Sequence, residues 1–129
     1  MTDVILASIK KKLGIVQEYT HFDEEIIMDI NSTFEILNQL GVGPKEPFMI
    51  TGYNEVWSDF MTTGKIEAVK TYMALKVRLY FDPPQSSYLI HEIEDRLAEL
   101  EFRMNVDAEK DLLKPPDMTE IYIDDYDDD

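Results

Sequence analysis

The stretch from Lys65 to Phe81 constrains the fold more than any other. Ile66, Val69, Met73, Val77 and Tyr80 recur at steps of three and four, and Ala68, Tyr72, Leu75 and Leu79 widen that stripe. The spacing predicts a helix that is apolar around much of its girth. Such a helix has to be covered on several sides, so it belongs in the centre of a fold or between subunits. Asp82-Pro83-Pro84 stops it abruptly, because proline lacks an N–H and disfavours helix in the residue before it. A second helical pattern then starts near Ser86 or Ser87, either of which is a suitable cap. Its apolar residues, Leu89, Ile93, Leu97, Leu100 and Met104, form a narrow seam of the coiled-coil kind. Glu92 with Arg96, and Glu99 with Arg103, are acid-before-base pairs four residues apart, each adding about 0.2–0.5 kcal/mol to a helix.

Upstream, Asp23 is placed to cap a helix whose first turn holds Glu24 and Glu25. Ile26, Ile27, Ile30, Phe34, Leu37 and Leu40 trace its apolar stripe, and Gly41 ends it. Phe22, just outside, is positioned to staple back on Ile26 or Ile27. A first helix is expected from Thr2 to Leu13, with Ile5, Leu6, Ile9 and Leu13 on one face and Thr2 or Asp3 as its cap. Lys10, Lys11 and Lys12 fall in its last turn, where cations suit the helix dipole, and Gly14 follows at the left-handed cap position. Gly41 to roughly Asn54 reads as a long loop containing a short extended run, Phe48-Met49-Ile50. Glu55 to Met61 reads as one or two helical turns with Val56, Trp57 and Phe60 facing inward. The expected fold is all-α: a small bundle of four main helices plus a short helical turn, a long central loop and a mobile C-terminal arm. Its core anchors are Ile30, Phe34, Trp57, Phe60, Val69, Met73 and Val77.

A chain of 129 residues fits one domain. The composition shifts after Asn105, which divides the chain into a helical domain, 1–106, and an acidic arm, 107–129. The arm holds ten acids and two lysines, a net charge of −8 out of −15 for the whole chain. Alone, such a segment is expected to be largely disordered. Ile121-Tyr122-Ile123 has strong strand propensity within it, which suits addition of a strand to a partner's sheet edge. A solvated tail without a partner is the plainer reading.

The same numbers exclude several functions. With 12 basic against 27 acidic residues, the general surface is wrong for wrapping nucleic acid, whose phosphates need Lys and Arg. The absence of cysteine removes disulfides, thiolate metal sites and thiol nucleophiles. The apolar stretch near the N-terminus precedes its lysines, the reverse of an export signal, and no apolar run approaches the ~20 residues of a membrane helix. The chain is therefore expected to be soluble and made inside a cell. His21 and His91 stand far apart without helical zinc spacing, and are expected at the surface. Gly41-Val42-Gly43-Pro44-Lys45 lacks the spacing and the following Ser or Thr of a phosphate loop. The terminal aspartates lack the pattern of a calcium loop. No catalytic, cofactor-binding or metal residue emerges, so the chain is not read as an enzyme and no cofactor is expected.

Four stretches together resemble a known family. They are Asp29-Ile30-Asn31-Ser32; Leu37-Asn38-Gln39-Leu40-Gly41-Val42-Gly43-Pro44; Trp57-Ser58-Asp59-Phe60; and Ala68-Val69-Lys70-Thr71-Tyr72 through Lys76-Val77-Arg78-Leu79-Tyr80-Phe81-Asp82-Pro83-Pro84. With the helix ending Leu100-Glu101-Phe102-Arg103-Met104-Asn105, they resemble the small head–tail connector (head-completion adaptor) proteins of long-tailed phages across most of residues 4 to 106. The resemblance implies an α-helical, non-enzymatic virion protein, made in the host cytoplasm, that forms a homo-oligomeric ring, as a rule a dodecamer, below the portal. Such rings join the DNA-filled head to the next connector or tail-completion protein and let DNA pass through the lumen without specific binding. In relatives the C-terminal region meets the portal, which points to Ile121, Tyr122 and Ile123 here. Arg78, Phe81 and Asp82, at the end of the most apolar helix, are the candidates for a subunit interface, where Arg is favoured. Arg78 has an equally open reading as a solvent-facing residue on the polar side of that helix.

The rival reading is an acidic DNA mimic that blocks a host DNA-binding protein. A mimic needs carboxylates spread over its folded face, whereas more than half of this net charge lies in the arm.

Overall fold

The structure is a computed structural model, and it describes residues 3–62 and 64–113, with side chains up to 108. It contains five helices: α1 (Ile5–Leu13), α2 (Asp23–Gln39), α3 (Trp57–Phe60), α4 (Ile66–Phe81) and α5 (Ser87–Leu113). The described residues hold no β-strand, only one antiparallel bridge between Val4 and Val56. The fold is all-α, four main helices and one short one.

Helix α4 sits in the middle and packs on α1, α2 and α5. Its girth explains why. Val69, Tyr72, Met73 and Val77 are buried, and Ala68, Leu75 and Leu79 pack beside them against the core. Ile5, Leu6 and Ile9 of α1 and Ile26, Ile30, Phe34 and Leu37 of α2 close one side; Leu97, Leu100 and Met104 of α5 close another. Full burial of each large aliphatic side chain contributes about 1.5–3 kcal/mol. Tyr72 is fully buried, and its hydroxyl donates to Glu101 at 2.6 Å, so a polar bond spans α4 and α5 within the apolar contact. Burial first, and then the neighbouring carboxylate of Glu101, push its pKa far above the ordinary tyrosine value.

Three helix ends differ from the sequence expectation. Helix α1 starts at Ile5 behind Val4, not behind Thr2 or Asp3, and has no side-chain cap. The residues before it are engaged in extended pairing: Trp57 N–H donates to the Asp3 carbonyl at 3.0 Å, and Ile5 N–H to the Glu55 carbonyl at 3.1 Å. Asp23 is the first residue of α2 with Phe22 in the cap position, and the Phe22 ring lies edge-on to Phe81 at 5.1 Å. Helix α5 runs to Leu113, well past Asn105. The added segment is rich in helix formers, Ala108, Glu109, Lys110, Leu112 and Leu113. Asp107 is also tied to Lys65 at 3.6 Å. Residues 114–129 of the acidic arm, including Ile121, Tyr122 and Ile123, lie outside the described residues.

The central loop is organised by aromatic packing. Phe34, Phe48 and Phe60 meet pairwise at centroid distances of 4.8–5.4 Å, with Trp57 6.2 Å from Phe34. Gly43, at φ +94°, passes so close to Phe60 that a Cβ there would stand 2.5 Å from two of its ring carbons. Only glycine fits both the backbone angle and the space.

Candidate assembly surfaces

His21 and His91 are both exposed. Among the described residues no cluster of His, Asp and Glu is arranged to hold a metal ion, and no helix is long and apolar enough to cross a membrane. What the structure offers instead are anchored loops and exposed apolar side chains.

The best-built polar site is one the sequence did not single out. Lys10, the first of the three lysines closing α1, is completely buried. Its ammonium forms an ion pair with Asp23 at 2.8 Å and donates to the Tyr53 hydroxyl at 2.7 Å and to the carbonyls of Tyr19 at 2.8 Å and Gln17 at 3.1 Å. Three ammonium protons are thus shared among four oxygens. Tyr53 in turn donates to the other Asp23 oxygen at 3.0 Å. Burial alone would lower the lysine pKa, but the hydrogen bonds with Asp23 and Tyr53 outweigh it and hold the pKa above the ordinary value. One residue therefore joins the end of α1, the turn after it, the start of α2 and the central loop. Lys11 and Lys12 remain exposed, as helix-end lysines usually do.

The central loop has a second anchor. Asn31, on α2, accepts the Ile50 N–H at 2.8 Å and donates to the Ile50 carbonyl at 3.0 Å. Its amide serves both backbone groups of Ile50 as a neighbouring strand would. In the Phe48-Met49-Ile50 run, Ile50 is buried and Met49 exposed. Further along, Glu55 closes the turn before α3. Burial opposes its charge, but the Thr51 N–H and hydroxyl and nearby backbone N–H groups hold its pKa below the usual carboxylate value.

Arg78, Phe81 and Asp82 come together at the corner between α4 and α5. Arg78 is exposed and donates from Nε to the Asp82 carbonyl at 3.2 Å; Asp82 is exposed, and half-buried Phe81 packs on Phe22. Tyr80 on one side of the corner, and Tyr88 and Leu89 on the other, are exposed large side chains, Tyr88 to 69%. Exposed large apolar residues near one corner mark a surface suited to contact. An opening of about 520 Å³ lies where Gly43, Phe60 and Met61 approach Met104, Asp107 and Ala108.

Ile30, Phe34, Trp57, Phe60, Val69, Met73 and Val77 all lie in the core. Trp57 adds a polar link, donating from its indole N–H to Ser8 at 2.8 Å.

No curated protein and no solved structure matches the chain. A family model described as phage connector protein matches residues 5–111, from the first residue of α1 almost to the end of α5. That match spans every described helix and most of the sequence, so the chain belongs to this phage head–tail connector family, whose members are structural proteins.

Proposed function

We propose that this protein assembles in the virion as a homo-oligomeric ring, a dodecamer, below the portal. There it joins the DNA-filled head to the next connector or tail-completion protein and lets DNA pass. The observation that carries the reading is the family match over the whole helical body, residues 5–111. In this reading the α4–α5 corner with Arg78, Phe81 and Asp82 meets the neighbouring subunit, and Ile121, Tyr122 and Ile123 meet the portal by strand addition. A closed ring repeats one modest interface around its circumference, so weak pairwise contacts suffice once assembly begins on a template. The chain's net charge of −15 suits a lumen that repels the duplex and does not retain it. Before assembly the protein resides in the host cytoplasm. The role needs no catalysis, cofactor or membrane.

Quantitative mass spectrometry of purified virions tests the core of this reading. Copies per particle equal to those of the portal subunit are expected. Absence from intact particles overturns it and favours the DNA-mimic alternative, whose work is done inside the host. Deleting residues 117–129 from the full chain is expected to abolish capture by the portal while leaving the helical signal intact. Undiminished capture removes the arm from the portal contact.

A further inference from the structure

A groove of about 370 Å³ runs between the end of α1, the outer side of α4 and the start of α5. Leu75 and Ile93 contribute apolar surface; Lys12, Lys70 and Arg78 stand around it with a single acid, Glu67. This concentration of positive charge is unusual in a chain with 27 acids and 12 basic residues. Lys70 is held by Asp3 at 2.6 Å and lies 3.7 Å from Glu67. Lys12 and Arg78 are exposed, and among the described residues neither has a carboxylate partner; Arg78 reaches only the Asp82 main chain. The groove thus pairs an apolar wall with two cations that lack a counter-ion.

We propose that in the free subunit, before Arg78 meets a neighbouring copy, this groove holds the chain's own acidic segment, Asp124 to Asp129, folded back along α5. The segment has complementary chemistry, five aspartates around Tyr126. Reach agrees. From Ile93 to Leu113 the helix rises ~1.5 Å per residue, so the chain leaves α5 roughly 30 Å from the groove. An extended chain covers ~3.3 Å per residue, so a return path reaches the level of Ile93 near Tyr122 and Ile123 and delivers the aspartates to the lysine and arginine. Pro115 and Pro116, just beyond Leu113, disfavour continuing the helix and so favour a change of direction. The tether raises the effective concentration of the segment to the order of millimolar, so individually weak ion pairs are enough. A docked segment also keeps Ile121-Tyr122-Ile123 alongside the body of the free subunit.

The test uses the full chain. Because the protein has no cysteine, Asp129→Cys provides a unique site for a nitroxide label and leaves four of the five aspartates in place. At low salt the backbone amide signals of Leu75, Arg78 and Ile93 are expected to lose most of their intensity. They should recover at about 1 M NaCl, where the Debye length is ~3 Å, and in a Lys12→Glu/Arg78→Glu version. Both substituted residues are exposed, and the same spectrum reports whether the chain is folded; Lys12→Gln/Arg78→Gln replaces the reversal if it is not. Unattenuated groove signals at low salt, or attenuation that survives charge reversal, overturn the proposal. Equal attenuation in a mixture of labelled and isotope-enriched chains also overturns it, assigning the groove to a second copy. None of these outcomes alters the copy number in virions, so the ring reading stands or falls separately.

Discussion

Replacing Lys10 with methionine keeps the length and apolar character of the side chain while removing the charge that organises four segments. Asp23, only 16% exposed, then loses its cation, and the carbonyls of Gln17 and Tyr19 lose a donor. Removing one member of a buried ion pair costs roughly 3–5 kcal/mol, because the other charge stays buried. Here Tyr53 still donates to Asp23, and the partial exposure of Asp23 admits some water, so the low end applies, about 3 kcal/mol. For a chain of this size that corresponds to a fall in Tm of roughly 10 °C. Urea unfolding followed by the fluorescence of Trp57, the only tryptophan and a buried one, gives the number directly. A Lys10→Met/Asp23→Leu chain should regain much of the loss, since apolar residues replace a buried pair at little cost. The pH dependence has a definite sign. The folded pKa of Lys10 lies above its ordinary value of 10.5, so the stability it contributes is complete below that value and disappears as pH rises through the higher folded pKa. The methionine variant should lack that alkaline component. A loss below about 1 kcal/mol, the net value of an ordinary hydrogen bond, would refute the view that Lys10 ties these segments together.

Three further outcomes follow from the geometry. Asn31→Leu should cost about 2 kcal/mol by leaving both backbone groups of Ile50 unpaired, and hydrogen exchange at the Ile50 amide should accelerate more than at the α4 amides. Gly43→Ala should cost about 2–4 kcal/mol through the positive φ and the clash with Phe60, read as a lower urea midpoint with an unchanged slope. Asp29→Asn should stabilise by about 0.2–0.5 kcal/mol, because burial and then the like charge of Glu25 one turn away disfavour the aspartate charge. With the folded pKa of Asp29 raised, that advantage should vanish as pH falls and the wild-type carboxyl becomes protonated; a constant difference down to low pH would count against the charge argument.

The helices were legible because apolar periodicity reports burial directly. Val69, Met73 and Val77 mark the central helix, and Asp82-Pro83-Pro84 marks its end, by local rules that tertiary structure does not override. The start of α1 was set by contacts remote in sequence, since Asp3 and Val4 pair with residues around Val56. Helix α5 continues past Asn105 through a local run of helix formers, from Ala108 to Leu113, that the acidic charge of the segment obscured. The Lys10 site was hidden for the same reason as the start of α1: three consecutive lysines at a helix end look alike, and only the placement of Asp23 and Tyr53 distinguishes the buried one. Asn31 was hidden inside a helical stripe, since nothing in its neighbourhood announces a partner nineteen residues away. The corner residues Arg78, Phe81 and Asp82 can be placed from the sequence at a helix end, but the packing of Phe81 on Phe22 cannot.

The bond between Asn31 and Ile50 separates what holds the loop from what the loop displays. The loop takes its position from a helix side chain and a buried isoleucine, whereas Lys45, Glu46 and Met49 face outward. Those outward residues form an interchangeable tip on a fixed mount. Their charge and shape can be rewritten while the mount, and with it the folding of the body, stays the same.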